Sequence, residues 1–359
     1  MKSCPLDYKE YFLPYAPEVD SFLGNFFQKK IKEGNKIEPI AGDVWRKLQG
    51  FIKGGKRIRG GLVRLGYECF GGKKERAILP VSAAIEITHG AILVHDDIID
   101  QSILRHGQPT VHRRYQRYHQ KHYQKGDPRH YGESMGICVG IAGYYGAISL
   151  LAQAKFPEDL KIRATQELAR FMMETGYGET LDIDFACRVE ISEKEILTIH
   201  TLKSAHYTIV GPLKIGGILA GAREKQLKKF EDYGIPVGIA FQLQDDILGI
   251  YGSEEELGKP IGDDIKERKN TLLYTQALKK GNQKQRKRLA SLWGKKDITP
   301  KEVEEARKII KQTGSLEYSQ KLAKRLVEKG KKAVPKITKN KNLQEVFLSL
   351  ADFIIEREK

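Results

Sequence analysis

Apolar residues along the chain recur mostly three and four positions apart, and the strict alternation of a half-buried strand is scarce. The pattern predicts an all-α protein. One long helix is expected over 77–104, with Pro80 accommodated in its first turn. Further helices are expected over about 136–154, 158–176, 192–220 and 224–250, with several shorter ones from about residue 300 onward. Two stretches interrupt the periodicity: "HGQPT" (106–110) and "YGSEEELGKPIGDD" (251–264) carry the Gly and Pro punctuation of loops that follow helices. No linker divides the chain and no short-period repeat is visible. Residues 41–359 are therefore expected to form a single helical domain, and residues 1–40 a helical, peripheral N-terminal segment.

Bulk properties narrow the class. The 359 residues are 40% hydrophobic and 30% charged, which suits a globular chain rather than a disordered one. No uninterrupted apolar run long enough to span a bilayer is expected, and the acidic, weakly apolar N-terminus does not resemble a secretion signal. Four cysteines without paired spacing argue against zinc and against a disulfide framework, so a cytoplasmic location is expected. The net charge of +16 is carried by clusters such as "KKGNQKQRKR" (279–288), which lacks interleaved aromatics. Such clusters read as solvated helix faces, and no nucleic-acid partner is expected. A basic surface also attracts anionic small substrates.

Candidate chemistry sits at two helix ends. On a helix, residues three and four apart share a face, so His89, Leu93, Asp96 and Asp100 form one stripe with Asp97 beside it. In "GIAFQLQDDILGIYG" (238–252), Gln242 shares a face with Asp245 and Asp246. Each acidic pair precedes a basic loop, with Arg105, His106 and Arg113 after the first, and Lys259, Lys266, Arg268 and Lys269 after the second. Carboxylates this close repel one another in an apolar setting, which calls for a cation. Oxygen ligands on separate helices, completed by water and phosphate, suit magnesium, so a phosphorylated substrate is expected between the two sites. Arg and Lys would meet the same anion. A third basic element, "IKGGKRIRGGLVRLGYECFGG" (52–72), places Lys56, Arg57 and Arg59 after a Gly pair and before a helix, as a second phosphate subsite would.

Together these residues resemble the trans-isoprenyl diphosphate synthases, or polyprenyl synthetases. The resemblance runs from about residue 50 to 275 through "GGKRIRG", "HDDIIDQSILRHGQPTVH", "GETLDI", "LKSAHYTIVGPLKIGG" and "GIAFQLQDDILG" with its following lysine loop, in the family's order. It implies an all-α bundle around a deep central cavity, forming a homodimer. The implied activity is magnesium-dependent condensation of isopentenyl diphosphate with an allylic diphosphate, releasing pyrophosphate. By position, Asp96, Asp100 and Asp245, with Asp97 and Asp246 beside them, would bind magnesium, three ions when substrate is present. Arg105, Lys203 and Lys259 would contact the allylic diphosphate, with Lys269 also on substrate. Lys56, Arg59, His89 and His106 would hold isopentenyl diphosphate. Ser204 and Gln242 would lie beside the reacting carbons.

Five positions depart from the family pattern: His106, Gly249, Ser204, Glu179 and Ile141 stand where Arg, Asp, Thr, Gln and part of a Gly-Asp pair are usual. Product length is set in this family by bulk before the first motif. Ala91, Ile92 and Thr88 include no aromatic, which implies a product of C20 or longer, with Tyr144 or Tyr145 as an alternative floor. Two other functions fit the scaffold. A terpene synthase would dispense with the isopentenyl subsite, and a non-catalytic regulatory subunit would usually lose aspartates that this chain keeps.

Overall fold

The computed structural model describes residues 6–188, 190–252 and 262–356. They are almost entirely helical and gather into two compact units. The first unit comprises Tyr8–Gln166 and Pro212–Ala222; the second comprises Met1–Asp7, Glu167–Gly211 and Arg223–Lys359.

The first unit is built from α1 (Tyr8–Phe12), α2 (Ala16–Asn35), α3 (Pro39–Ile52), α4 (Ile58–Cys69), α5 (Glu75–Ile99), α6 (Val111–His122) and α7 (Pro128–Gln153). Helix α5 packs against α2, α3, α4 and α7, and it is apolar around most of its circumference, as a helix surrounded by others must be. It begins two residues before the expected start, so Pro80 falls in the second turn. Both α5 and α7 are long and apolar enough to cross a membrane by length and composition, but 72% of the α5 window is buried within the fold, the mark of a core helix. The N-terminal segment, expected at the periphery, instead supplies Tyr15, Val19, Leu23, Phe26 and Phe27 to the core, beside Leu48, Ala84, Ile87 and Val94. Its apolar residues recur at helical spacing, so this face was legible in the pattern.

The expected helix to residue 104 stops at Ile99. Gln101 takes a left-handed backbone with φ of 55°, which ends an α-helix, and a two-stranded hairpin follows. Leu104 pairs with Pro109 and Arg105 with Gln108. The two turn residues, His106 and Gly107, have φ of 50° and 70°, and this tight turn suits the twist of the flanking strands.

The second unit centres on α11 (Glu224–Tyr251). It also includes most of α8 (Glu158–Ala186), α9 (Glu193–Ile199) and the π-helical stretch His200–Val210, which leads into α10 (Gly211–Leu219). The expected helix over 192–220 is therefore not uniform: its middle is wound with wider hydrogen-bonded turns. Such stretches are rare and frequent at functional sites. A second apolar cluster gathers Ile247, Ile250, Leu273, Leu289, Trp293 and Ile310, with Trp293 stacked on Tyr274 at 4.4 Å between ring centres.

Candidate active site

In the first unit the hairpin turns Arg105 back over the C-terminal end of α5. Its Nε donates to Asp97 Oδ1 at 2.8 Å and its terminal nitrogen to Asp96 Oδ2 at 2.9 Å. Burial disfavours the guanidinium charge, but Asp97, Asp96 and Asp100 outweigh it, and the pKa of Arg105 is raised. Asp97 is fully buried, whereas Asp96 and Asp100 are half-buried.

Two turns earlier on α5 lies His89. Burial, reinforced by Arg59, Arg105, Arg57 and His106, holds its imidazole well below its usual pKa. The structure thus brings together four residues that the sequence placed on two phosphate elements: Arg59, His89, Arg105 and His106. Lys56 is exposed, as is His106 at the hairpin tip. Arg57 has another role. It is buried, donates to Asp20 Oδ1 and to the Ile52 carbonyl, each at 2.7 Å, and lies 3.6 Å from Glu86. Glu86 in turn accepts from the Gly60 amide at 2.7 Å. This internal ion group fixes the basic loop on α5; nothing in the spacing of Asp20 and Glu86 announced it.

The chain-length positions are tightly packed. Ala91 is fully buried, and a Cβ added to Gly143 of α7 would sit 2.9 Å from the Ala91 Cβ. Its small size is therefore also what lets α5 and α7 approach. Thr88 is buried and donates to the Ala84 carbonyl, and Ile92 is half-buried. Tyr144 meets the His95 ring edge-on, while Tyr145 is 69% exposed. Tyr145 is no internal floor.

In the second unit two helices close on the π-helical stretch. A Cβ on Gly178 of α8 would stand 2.6 Å from the Lys203 amide, and one on Gly238 of α11 would stand 2.5 Å from Ala205. Both glycines are needed for this approach. It puts Lys203 Nζ 2.7 Å from Glu179 and 2.9 Å from Asp182. Asn270 donates to the Asp182 main-chain oxygen at 2.9 Å and to its carboxylate at 3.3 Å. Burial opposes ionisation of Asp182, yet Lys203, Lys269 and Asn270 hold its carboxyl below the usual range. The extra charge of Glu179 thus falls on Lys203.

On the other side of the stretch, Ser204 Oγ donates to Gln242 Oε1 at 2.6 Å, and Gln242 Nε2 donates to Asp246 Oδ1 at 3.0 Å. His200 Nε2 lies 3.3 Å from Asp246 Oδ2. Asp246 and His200 are buried, while Asp245 is half-buried. His200 escaped the sequence reading because a histidine among apolar helix positions reads as core. Gly249 is explained: a Cβ there would lie 1.8 Å from the Asp264 carboxylate, so a side chain at 249 and this placement of Asp264 exclude each other. Lys259 lies outside the described residues.

No group of three or more His, Cys, Asp or Glu side chains forms a metal cage among the described residues. Magnesium does not require one, since it commonly takes one or two carboxylates and completes its shell with water and phosphate oxygens. Asp96 and Asp100 at the end of α5, and Asp245 on α11, are hard oxygen donors of that kind.

Comparison with known proteins accords with these features. Residues 46–310 match the polyprenyl synthetase family model. A geranylgeranyl diphosphate synthase of Sulfolobus acidocaldarius is 32% identical over 94% of this chain and all of its own length. A geranylfarnesyl diphosphate synthase of Aeropyrum pernix is 29% identical over 85% of this chain and 91% of its own. Among solved structures, the geranylgeranyl pyrophosphate synthase of Corynebacterium glutamicum, complexed with isoprenyl diphosphate and magnesium, superposes with a TM-score of 0.92. It is 29% identical, covering 96% of this chain and 99% of its own. With more than half its length matched by the family model, this chain belongs to the polyprenyl synthetase family.

Proposed function

We propose that this protein condenses isopentenyl diphosphate with an allylic diphosphate to give an all-trans prenyl diphosphate of C20 or longer, releasing pyrophosphate. The observation that carries this reading is the end of α5, where Arg105 lies against half-buried Asp96 and buried Asp97. In the second unit Lys203 is held between Glu179 and Asp182. The relatives named as C20 and C25 synthases support the product class.

Asp96, Asp100 and Asp245 are assigned as magnesium ligands, and Asp97 and Asp246 as the buried neighbours that hold them in place. Magnesium, when bound, supplies positive charge to the departing pyrophosphate. Arg105, Lys203 and Lys259 contact the allylic diphosphate and absorb the charge that develops as its C–O bond breaks; Lys269 holds Asp182 beside them. Lys56, Arg59, His89 and His106 receive isopentenyl diphosphate. His89 enters as a neutral imidazole, a donor that adds no charge to an already cationic subsite. The Ser204 hydroxyl and the Gln242 amide, fixed by Asp246, present oriented dipoles beside the reacting carbons. The proton lost after condensation goes to pyrophosphate, so no side-chain base is assigned.

A homodimer is also proposed. Ile137, Ile141, Tyr145 and Ile148 leave an exposed apolar row along α7 at helical spacing, with Ile141 in place of part of the family's Gly-Asp pair. The three described cysteines are free, which suits a cytoplasmic enzyme.

The test is a product assay with magnesium, labelled isopentenyl diphosphate and each of the C5, C10, C15 and C20 allylic diphosphates. Condensed products ending at C20 or beyond are expected. A C15 stop would contradict the length assignment, and consumption of the allylic substrate without condensation would indicate a terpene synthase.

A further inference from the structure

Lys203 faces more negative charge than it needs. Its ammonium lies between Glu179 and Asp182, at 2.7 and 2.9 Å, one helical turn apart on the same face of α8. All three side chains are mostly withdrawn from solvent, at 16–20% exposure, so these charges are poorly screened.

The two carboxylates are not equivalent. Asp182 is held from behind by the Asn270 amide, on both its carboxylate and its main-chain oxygen, with Lys269 close by. It is fixed whether or not Lys203 stays. Gly178 presses α8 against the Lys203 backbone, so the lysine cannot leave the helix that carries both acids. An incoming diphosphate must therefore compete for the ammonium with Glu179, at a position where a glutamine would donate or accept hydrogen bonds without charge.

We propose that Glu179 is a positioning residue that competes with the diphosphate group for Lys203, loosening the hold on pyrophosphate and on the elongated product so that both leave. This rests on the assignment of Lys203 to the diphosphate. A long prenyl tail gains binding energy with every buried carbon, so a synthase of long products has most need of a weakened head-group grip.

The experiment is calorimetric titration of pyrophosphate with magnesium into wild type, E179Q, K203M and the double variant. Steady-state KM and kcat for the allylic substrate are measured alongside. E179Q should bind pyrophosphate about tenfold more tightly, lower KM for the allylic diphosphate and leave kcat unchanged or reduced. In the K203M background the same substitution should change affinity less than about twofold. E179D, which draws the carboxylate back by one methylene, should fall between wild type and E179Q; a value outside that interval would overturn the proposal. So would unchanged or weaker binding by E179Q, and equal tightening with and without Lys203 would show direct repulsion instead. If K203M alone leaves pyrophosphate affinity unchanged, the assignment of Lys203 to the diphosphate fails, and the proposal with it.

Discussion

The two aspartate pairs have the same form and different supports. In each, the first aspartate is half-buried and the second is buried: Asp96 beside Asp97, Asp245 beside Asp246. Asp97 is secured by a charged partner, the Arg105 guanidinium delivered by a hairpin from its own downstream loop. Asp246 is secured mainly by a neutral amide, Gln242 one turn earlier, which is itself held by the Ser204 hydroxyl. A buried ion pair depends on both partners, since removing one strands the other in a poorly solvating interior. A carboxylate held by a neutral amide loses about one bond's worth when that donor changes. The first motif is thus a rigid electrostatic unit, and the second is a polar relay that tolerates substitution.

The largest effects should come from the half-buried members, where the comparison expects no difference. Asp96→Asn and Asp245→Asn should each lower kcat by about a thousandfold or more, with a modest loss of stability in the first, which also takes one carboxylate from Arg105. A loss confined to one of them would break the symmetry. The buried members should separate. Asp97→Asn should cost about 3 kcal/mol in denaturant unfolding, by leaving Arg105 short of a carboxylate. Asp246→Asn should cost about 1 kcal/mol, because an asparagine oxygen still accepts from Gln242. Equal costs would remove the distinction drawn here.

Acid should weaken the first unit through its histidines. Burial, with Arg113 adding to it, lowers the pKa of His112 to about 4. The native state then stays neutral while the unfolded chain takes up a proton near pH 6.5. Stability should be full above about pH 6.5, fall as pH drops toward 4 and level off below, with about 3 kcal/mol lost. His112→Gln should flatten that part of the profile. Smallest is Ser204→Ala, which removes one donor from the relay; kcat should fall by only about three- to tenfold with no change in magnesium requirement.

Much of this was legible in the sequence. Helical periodicity located α7, α8 and α11, because long amphipathic or buried helices carry many votes for one period. The aspartates, Arg59, His89 and Arg105 stand in motifs visible in the sequence, and the structure sets Arg105 against Asp96 and Asp97. Four features escaped. The hairpin after Ile99 is two residues per strand, too short for any period to register. The π-helical stretch around Lys203 is set by the close approach of Gly178 and Gly238, which is tertiary. Arg57 looked like a phosphate ligand until Asp20 and Glu86 claimed it, and those partners lie 37 and 29 residues away in the chain. Ala91 suits a long product, and its contact with Gly143 shows that helix packing also requires a small residue there.

The proposed division of labour makes Asp96 and Asp245 the ligands and Asp97 and Asp246 their supports. The most direct measurement is pyrophosphate binding by calorimetry with and without magnesium, on the four single Asp→Asn variants. Asp96→Asn and Asp245→Asn are expected to abolish the enhancement of binding by magnesium. Asp97→Asn and Asp246→Asn should retain it at temperatures where they remain folded. Enhancement that survives in the first two and disappears in the second two would contradict the account.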